Sequence, residues 1–402
     1  MKDKEKDAEK KKKDRDYRRH VFLYKFCWIF VGPIICLIKH FKAQRIPKIQ
    51  GPALILCNHN ADLDPFFVGI ASPFRHMYYV ASEHLFRRGL GSRLMAWAAG
   101  PIARMKGSTD GSAAMSVLRH LKEGHDVCIF AEGCCSYNGK TGPIHPTVGR
   151  LAKISGATLV DYRITGAYMQ KPRWGMTTRW GPIRGQLANI YPPEKLKTMT
   201  NAQVNEAIRQ DLFSNAYDLQ REKPVRYGGN RRAEALETSL YLCPKCHRFS
   251  TLHSKGNRFW CDCGLDLTVD NFGFFQPNGA DPAPFDAVDK WDEWQTKEME
   301  TLLSSGEPIA FRDREAVLRR IGEEHTDVVV DQGDIAMDRE RLTIGSTEFP
   351  LEAVQDLTLC RKNLIVFTAN DEHYEVRTET TYNARKYLAV YEWLRDHRKK
   401  EK

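Results

Sequence analysis

The chain has 402 residues, a formal net charge of +10 at pH 7 and 11 cysteines. This length predicts two to three domains, and basic residues are concentrated at the start of the chain. The cysteines exclude a disulfide framework, because those outside short paired motifs are scattered, and they indicate a reducing compartment such as the cytoplasm.

An apolar segment follows the basic start of the chain. Residues 21–38 are rich in Trp, Phe and Tyr, but they contain Lys25 and a Gly32-Pro33 break. A spanning helix needs about 20 apolar residues, so this segment is marginal as a span. We therefore expect residues 1–45 to be a basic tail and an interfacial or re-entrant anchor on the cytoplasmic face of a membrane, attracted to anionic lipid. A buried N-terminal helix with a solvated tail is the alternative.

A histidine and an aspartate five residues apart follow the first apolar strand. Residues 53–57 predict a buried strand, and Asp64-Pro65 predicts a helix start with Asp at the cap and Pro at the first helical position. On one continuous helix, His59 and Asp64 would point about 140° apart, so an intervening loop is needed to bring them together. A carboxylate there would fix one imidazole nitrogen and leave the other free as a general base. The alternative is a capping aspartate and an unrelated loop histidine.

Three later segments follow in order. Arg104 and Lys106 come after a Gly-Pro turn, and a buried strand runs into Glu132-Gly133. Residues 156–166 form another apolar strand that ends in glycine. Together with the histidine and aspartate, the order and spacing of these segments resemble the four blocks of the glycerophospholipid acyltransferase family, which makes phosphatidic acid from lysophosphatidic acid.

The resemblance implies a role for each matching residue. His59 would be the base that takes the proton from an acceptor hydroxyl, and Asp64 its orienting partner. In that family the hydroxyl attacks the acyl thioester directly, without a covalent enzyme intermediate. Arg104 would hold the acceptor phosphate, and Glu132 and Gly133 would also serve acceptor binding. The chemistry is coherent, because a hydroxyl is a poor nucleophile until a base accepts its proton and a guanidinium suits phosphate.

The third block departs from the family pattern. The family usually continues Glu-Gly-Thr-Arg-Ser, whereas this chain has Glu-Gly-Cys-Cys-Ser, with Cys135 in place of the arginine. Either Arg104, Lys106 or Arg150 binds the phosphate instead, or the acceptor is not a simple lysophosphatidate. The vicinal cysteines Cys134 and Cys135 also raise the hypothesis of thiol catalysis, although such pairs beside a strand end are more often small filler residues.

The predicted activity is therefore O-acyl transfer. A fatty acyl group would move from acyl-CoA or acyl carrier protein to the hydroxyl of a lysophospholipid, with 1-acylglycerol-3-phosphate as the favoured acceptor and phosphatidic acid as the product. The alternatives are another glycerolipid or lysolipid acceptor, hydrolysis of the thioester by water, and a non-catalytic lipid-binding scaffold. The intact histidine and aspartate pair argues against the scaffold.

Two cysteine knuckles, separated by 14 residues, form a second module. Four thiolates at this spacing suit tetrahedral zinc, and residues 251–260 predict a hairpin between the knuckles. The expected ligands are Cys243, Cys246, Cys261 and Cys263. We expect residues 240–275 to be a zinc ribbon with structural zinc, since four thiolates leave no open position for catalysis. The alternatives are reduced cysteines without metal, or His247 or His253 in place of one ligand.

A basic protein with a zinc ribbon could in principle bind nucleic acid. Its basic residues, however, cluster beside an apolar segment, and the aromatic residues there are not interleaved with Arg as a base-stacking groove requires. We therefore expect membrane lipids and the acyl donor as partners, and no nucleic acid.

The last part of the chain is rich in short strand candidates separated by turn residues. These are residues 326–330, 333–337, 341–344, 356–359, 363–367 and 373–376. A final helix has one apolar side, and strands closed by such a helix resemble a pleckstrin-homology or GRAM-like barrel, a module that often contacts lipids or partners. A plain stabilising domain is the alternative. A helix predicted at residues 287–305 lies in a linker before these strands.

The predicted fold class is α/β. It comprises an acyltransferase domain with a mixed sheet covered by helices, a zinc ribbon, and a C-terminal β-rich domain with a closing helix. The predicted units are residues 1–45 (tail and membrane-associating segment), 46–235 (acyltransferase domain), 240–275 (zinc ribbon), 276–323 (linker with helix) and 324–402 (β-rich domain).

Overall fold

A computed structural model describes most of the chain. The described residues are 2–73, 75–82, 89–104, 111–322, 327–360, 362–378 and 382–398. Lys106, one of the predicted substrate-binding residues, lies outside them.

The chain begins with a long helix. It comprises α1 (Lys2–Phe26), a π-helical turn (Cys27–Val31) and α2 (Gly32–Ile38). By length and composition, residues Lys11–Ile38 could cross a membrane, because an 18-residue window has a mean hydropathy of 2.2 and only 6% of it is buried. This is a weak indication of membrane association. The predicted break at Gly32-Pro33 is replaced by the π-helical turn, since a wider turn accommodates a proline that would otherwise clash with the preceding turn.

The first sheet is mixed, as the sequence predicts. Its strands are β1 (Phe41–Ala43), β2 (Ala53–Cys57), β3 (Met77–Ser82), β4 (Ile102–Arg104), β5 (Asp126–Phe130), β6 (Thr158–Thr165) and β7 (Ile183–Tyr191). They are ordered β1-β7-β6-β2-β5-β3-β4. Neighbours are parallel except β6 and β7, which are antiparallel. The central strand β2 is buried at every residue, which explains its continuous apolar run.

Helices cover both faces of this sheet. The helices in this part of the chain are α3 (Asp64–Ala71), α4 (Gly89–Ala99), α5 (Ser112–Lys122), α6 (Thr147–Ser155), α7 (Ala167–Gln170), α8 (Pro193–Thr198), α9 (Asn201–Leu212) and α10 (Ala216–Glu222). Leu54 and Leu56 of β2 pack with α5, α6 and α9 on one face. Ile55 and Cys57 pack on the other face with α3. This alternation follows from the two-residue period of a strand.

The cysteine-rich segment forms a small antiparallel sheet. Its strands are β8 (Leu252–Lys255), β9 (Arg258–Cys261), β10 (Asp266–Val269) and β11 (Phe275–Pro277). Lys255 pairs with Arg258, so the predicted hairpin forms with Gly256-Asn257 as its two-residue turn. A short 3₁₀ helix, Leu236–Thr238, precedes this sheet.

The last sheet is antiparallel and is closed by a helix. After α11 (Val288–Ser304) come β12 (Phe311–Ile321), β13 (Asp327–Met337), β14 (Arg341–Ile344), β15 (Thr347–Pro350), β16 (Val354–Cys360), β17 (Leu364–Ala369), β18 (Glu372–Thr378) and α12 (Arg385–Arg398). The strand order is β15-β14-β13-β12-β18-β17-β16. Tyr387, Val390 and Tyr391 of α12 are buried against the sheet, as the predicted apolar side of the last helix requires.

The sequence missed parts of this sheet. Strand β12 lies within residues 276–323, which we expected to be linker, and β15 was not predicted. The pairing of β12 is interrupted by a bulge between Asp313 and Ala316, where Glu315 has a φ of +62°. A bulge of this kind disturbs the two-residue alternation from which a strand is recognised. Two predicted strands, 326–330 and 333–337, merge into the single strand β13, except for residue 326, which lies outside the described residues.

Candidate active site and metal site

His59 and Asp64 form a hydrogen-bonded pair at the carboxyl end of β2. The distance from His59 Nδ1 to Asp64 Oδ2 is 3.0 Å. His59 lies in the loop after β2, and Asp64 is the first residue of α3, so the predicted strand–loop–helix arrangement is confirmed. The predicted helix cap is wrong: the residue at the cap is Leu63, which has no capping side chain. The carboxylate turns back to the loop instead, where Oδ2 accepts hydrogen bonds from the amides of Asn60 (2.6 Å) and Ala61 (2.8 Å).

This geometry fixes the orientation of the imidazole. Asp64 is fully buried, and a buried carboxylate needs the donors that converge on its Oδ2. The ring of His59 also stacks on Phe130, with centroids 4.4 Å apart. With Nδ1 donating to the carboxylate, Nε2 is left as the nitrogen that can accept a proton.

The Nε2 atom of His59 faces a thiol. Cys135 Sγ lies 3.3 Å from it, and Cys135 is partly exposed. Burial lowers the pKa of His59, but its interactions with Cys135 and with the carboxylate of Asp64 outweigh this effect, so that the pKa is raised well above its ordinary value. Sequence reasoning treated Cys135 as the loss of a phosphate ligand and raised thiol catalysis for the cysteine pair as a less favoured hypothesis, but it did not predict this contact.

Glu132 supports the loop that carries His59. Its Oε1 accepts a hydrogen bond from the His59 amide, and its Oε2 accepts one from the Gly142 amide, both at 2.6 Å. Burial raises the pKa of Glu132 to about 7, against these two hydrogen bonds, which lower it. Both carboxylate oxygens therefore serve the protein backbone, and the role in acceptor binding stays a prediction.

Arg104 and Gly133 are brought together by the fold. Gly133 has a φ of +73°, and Nη1 of Arg104 lies 3.3 Å from the place where a Cβ on this glycine would be. Arg104 ends β4 and is exposed, so its guanidinium is available to a ligand. The second and third motif segments therefore meet beside the loop that carries Glu132.

Two asparagines that the sequence did not single out tie the histidine loop to β6. Asn58 makes two hydrogen bonds with the backbone of Ile164, one to the carbonyl (2.9 Å) and one from the amide (2.8 Å). Asn60 donates to the same carbonyl at 2.8 Å. Both side chains are buried. The sequence does contain a hint of these contacts, since two asparagines flank the histidine directly after a buried strand. Buried amide side chains need hydrogen-bond partners, so they could have been predicted to bind a neighbouring segment.

The four predicted cysteine ligands lie together. The sulfur atoms of Cys243, Cys246, Cys261 and Cys263 are all within 4.8 Å of one another. Two of the separations are 3.7 and 3.8 Å, and a zinc tetrahedron with bonds of about 2.3 Å has sulfur–sulfur edges of about 3.8 Å. These separations are far longer than a disulfide bond of about 2.05 Å, so the cluster could bind a metal ion.

The two histidines considered as alternative ligands have other partners. His253 Nε2 lies 2.8 Å from Asp262, and His247 Nδ1 lies 3.6 Å from Glu298. Neither belongs to the group of potential ligands found among the described residues.

Comparison with known proteins gives one match to a family model. Residues 35–165 match the acyltransferase family, a range that contains His59, Asp64, Arg104 and Glu132. No curated protein matches the chain. A solved structure, the 1-acyl-sn-glycerophosphate (LPA) acyltransferase PlsC from Thermotoga maritima, resembles it at 15% identity and a TM-score of 0.41, over 51% of this chain and 81% of that chain.

Proposed function

We propose that the protein is a lysophospholipid acyltransferase, because residues 35–165 match the acyltransferase family and the motifs in this range resemble those of the glycerophospholipid enzymes. A fatty acyl group moves from acyl-CoA or acyl carrier protein to the hydroxyl of the acceptor. The favoured acceptor is 1-acylglycerol-3-phosphate, and the product is then phosphatidic acid. The observation that carries this proposal is the His59–Asp64 pair at 3.0 Å.

The pair supplies a general base for the acceptor. Asp64 holds the proton on Nδ1, and Nε2 accepts the proton of the hydroxyl as its oxygen bonds to the acyl carbonyl carbon. The buried carboxylate also stabilises the imidazolium that forms. A fixed ring orientation matters, because proton transfer requires the base to lie within hydrogen-bond reach of the hydroxyl.

The acceptor phosphate is assigned to Arg104. A guanidinium forms strong charge-assisted hydrogen bonds with phosphate oxygens, and Arg104 lies next to Gly133 beside the histidine loop. Cys135 stands where the family's second arginine would add another positive charge. Because that second arginine is absent, the proposal assigns Arg104 a larger share of the phosphate binding than the corresponding arginine has in the family.

The N-terminal helix is proposed to hold the enzyme at the cytoplasmic face of a membrane. It exposes a series of large apolar side chains: Phe22, Phe26, Ile29, Phe30, Ile34, Leu37 and Ile38. Its inner side contacts α3, where Tyr24 Oη donates to the carbonyls of Gly69 and Ser72 at 2.8 and 2.6 Å, and Trp28 Nε1 donates to that of Ile70 at 3.1 Å. This packing joins the anchor to the C-terminal end of α3, the helix that begins with Asp64.

The two later modules have proposed roles as well. The cysteine cluster binds structural zinc through all four thiolates, which leaves no coordination position for a substrate. In the last sheet, four consecutive strands (β12 to β15) lie beside three consecutive strands (β16 to β18), with β12 next to β18. This arrangement and the closing helix support the proposal of a pleckstrin-homology-like or GRAM-like module. Its partner would be lipid.

Incubation with labelled donors tests the proposed activity. The purified protein is reconstituted in vesicles with labelled acyl-CoA or acyl carrier protein and a panel of lysolipids, and the products are identified by mass analysis. We expect a diacyl product that is strongly reduced in the His59→Ala variant. Release of free fatty acid alone would favour hydrolysis, and absence of any turnover with every donor and lysolipid would favour the scaffold.

A further inference from the structure

Cys135, His59 and Asp64 form a continuous hydrogen-bonded row. Cys135 Sγ lies 3.3 Å from His59 Nε2, and His59 Nδ1 lies 3.0 Å from Asp64 Oδ2. A nucleophile within reach of a base, which is in turn oriented by a carboxylate, is the arrangement of enzymes that work through a covalent intermediate. Cys135 is a partly exposed residue, unlike the buried cysteines of the same domain.

We propose that Cys135 is a catalytic nucleophile that carries the acyl group as a thioester between donor and acceptor. This inference rests on the proposed function, because it needs a thioester donor. It differs from the direct attack that the motif resemblance implies, since acyl transfer becomes two successive half-reactions.

The first half-reaction moves the acyl group to the enzyme. His59 Nε2 takes the proton of the Cys135 thiol, and the thiolate attacks the carbonyl carbon of the donor thioester. A bond from Cys135 Sγ to the acyl carbon forms, and the bond from the acyl carbon to the donor sulfur breaks. The departing thiolate takes the proton from the imidazolium and leaves as a neutral thiol. One thioester replaces another, so no further reactant is needed.

The second half-reaction delivers the acyl group to the acceptor. An acylated sulfur has no proton to give, so Nε2 is now free to accept the proton of the acceptor hydroxyl. The oxygen bonds to the acyl carbon, the carbon–sulfur bond to Cys135 breaks, and the thiolate recovers the proton from the imidazolium. In the free enzyme, by contrast, the thiol occupies the position at Nε2 that an acceptor hydroxyl needs for direct attack.

The loop around Cys135 holds the sulfur in place. The Ser136 amide donates to the His59 carbonyl at 2.9 Å, which joins the cysteine loop to the histidine loop. Nη1 of Arg173 donates to the Cys135 carbonyl at 3.2 Å. Both contacts fix the peptide bond between Cys135 and Ser136, and a nucleophile on a fixed backbone is pre-organised for attack.

Other cysteines in the same domain are poorly suited to this role. Cys57 and Cys128 are fully buried, and burial raises the pKa of both thiols well above the ordinary range. A buried thiol with a raised pKa is unreactive. Cys134, the neighbour of Cys135, has similar partial exposure and provides a matched control.

Labelling without an acceptor tests the proposal. Wild-type protein in vesicles is incubated with radiolabelled acyl-CoA alone, quenched in acid and digested, and peptides are analysed by mass spectrometry. We expect the acyl group on Cys135, its release by neutral hydroxylamine, and its transfer to product when lysophosphatidate is added. Cys134→Ala should label and turn over as wild type, whereas Cys135→Ala should lose the label and at least 100-fold of the turnover. His59→Ala should also prevent labelling.

Kinetics of the wild-type enzyme give a readout that does not depend on variants folding. A two-step transfer predicts parallel double-reciprocal lines and exchange of labelled CoA into acyl-CoA without acceptor. Intersecting lines, no exchange and no label would overturn the covalent step while acyl transfer to lysolipid still stands. Near-normal turnover of Cys135→Ala would overturn it equally. A labelled Cys135 that passes its acyl group to no lysolipid would support the nucleophile and overturn the proposed function.

Discussion

The ring of His59 is bound by Asp64, whereas its backbone amide is bound by Glu132. Replacing the side chain therefore removes the base but leaves the backbone contact that supports the loop. We predict that His59→Ala lowers acyl transfer by about 10²–10⁴-fold, the usual cost of losing a general base, with little change in thermal unfolding. Asp64→Asn should slow the reaction less, because an amide oxygen can still accept the hydrogen bonds made to Oδ2. Rates and unfolding are measured on the same preparations. A folded His59→Ala enzyme with near-normal turnover would contradict the assigned base.

Glu132 gives a prediction about pH and stability. Burial raises its pKa to about 7 in the native state, so the native protein binds this proton more tightly than the unfolded chain does. The resulting stability is fully present below pH 4.5 and is lost as pH rises through about 7. The unfolding free energy of the wild type, minus that of Glu132→Gln, should therefore fall between pH 4.5 and 8 in denaturant titrations. The exposed Glu194→Gln is the control, and a difference that stayed constant or rose would contradict the prediction.

Arg104 tests the acceptor phosphate. We predict that Arg104→Ala raises KM for lysophosphatidate by tenfold or more, because a charge-assisted contact contributes about 1.5–3 kcal/mol. Unfolding should not change, since the side chain is exposed. The exposed Arg119→Ala serves as the matched control in the same steady-state assay. Equal use of phosphate-free monoacylglycerol by the wild type would argue against a phosphate acceptor.

The residues of the site differ in how far the sequence could predict them. His59 and Asp64 are five residues apart, and a strand–loop–helix signal between them was enough to bring them together. Cys135 lies 76 residues after His59, and nothing local in the chain indicates that β2 and β5 are neighbours. The Glu132 contacts, which join backbone amides from two loops, were hidden for the same reason.

At the scale of elements, local signals decide what can be predicted. The apolar run of β2 and the paired cysteines predicted a buried strand and a thiol cluster, because each pattern is short and continuous. The bulge in β12 and the brevity of β15 removed the alternation on which strand prediction depends. The π-helical turn before Pro33 likewise replaced a predicted break, because the helix adjusts its winding at the proline.

The cysteine cluster allows a test at this scale. We predict that changing any one of Cys243, Cys246, Cys261 and Cys263 to Ser lowers the zinc content and stability of the protein. Structural zinc contributes roughly 10–16 kcal/mol in small peptides, which is comparable with the whole stability of a domain, about 5–15 kcal/mol. Protein that stays folded should keep near-normal acyl transfer. Metal analysis and thermal unfolding are the measurements, and the exposed Cys27→Ser is the control. Purified wild type without zinc under non-chelating conditions would contradict this.

In the whole molecule, the later modules support the loop that carries Cys135. Nη2 of Arg173 donates to the Leu359 carbonyl in β16 at 3.0 Å, while its Nη1 contacts the cysteine loop. The ring of Tyr137 contacts two guanidinium groups, with the central carbon of Arg173 at 4.2 Å and that of Arg385 at 4.4 Å from its centroid. The C-terminal sheet and helix therefore bear directly on the geometry of the candidate site.

A further connection passes through a buried ion pair. Asp292 of α11 is 4% exposed. It accepts hydrogen bonds from Asn138 of the cysteine loop (2.8 Å) and from Arg385 of α12 (2.6 Å). Removing one partner of a buried pair costs about 3–5 kcal/mol, because the other charge remains without compensation. We therefore predict that Arg385→Ala lowers the unfolding free energy by about this amount and also lowers acyl transfer, although α12 is remote in sequence from the site.

Two further variants distinguish this connection from a general loss of charge on α12. Arg395→Ala removes a guanidinium from the same helix whose partner is the exposed Asp396, and it should change stability by less than about 1 kcal/mol. The double variant Arg385→Ala/Asp292→Asn should regain part of the lost stability, because no buried charge is left unpaired, while the introduced amide oxygen can still accept from Asn138. Denaturant titrations and turnover are compared across the series. If Arg385→Ala unfolded like the wild type, the C-terminal domain would not support the loop through this pair.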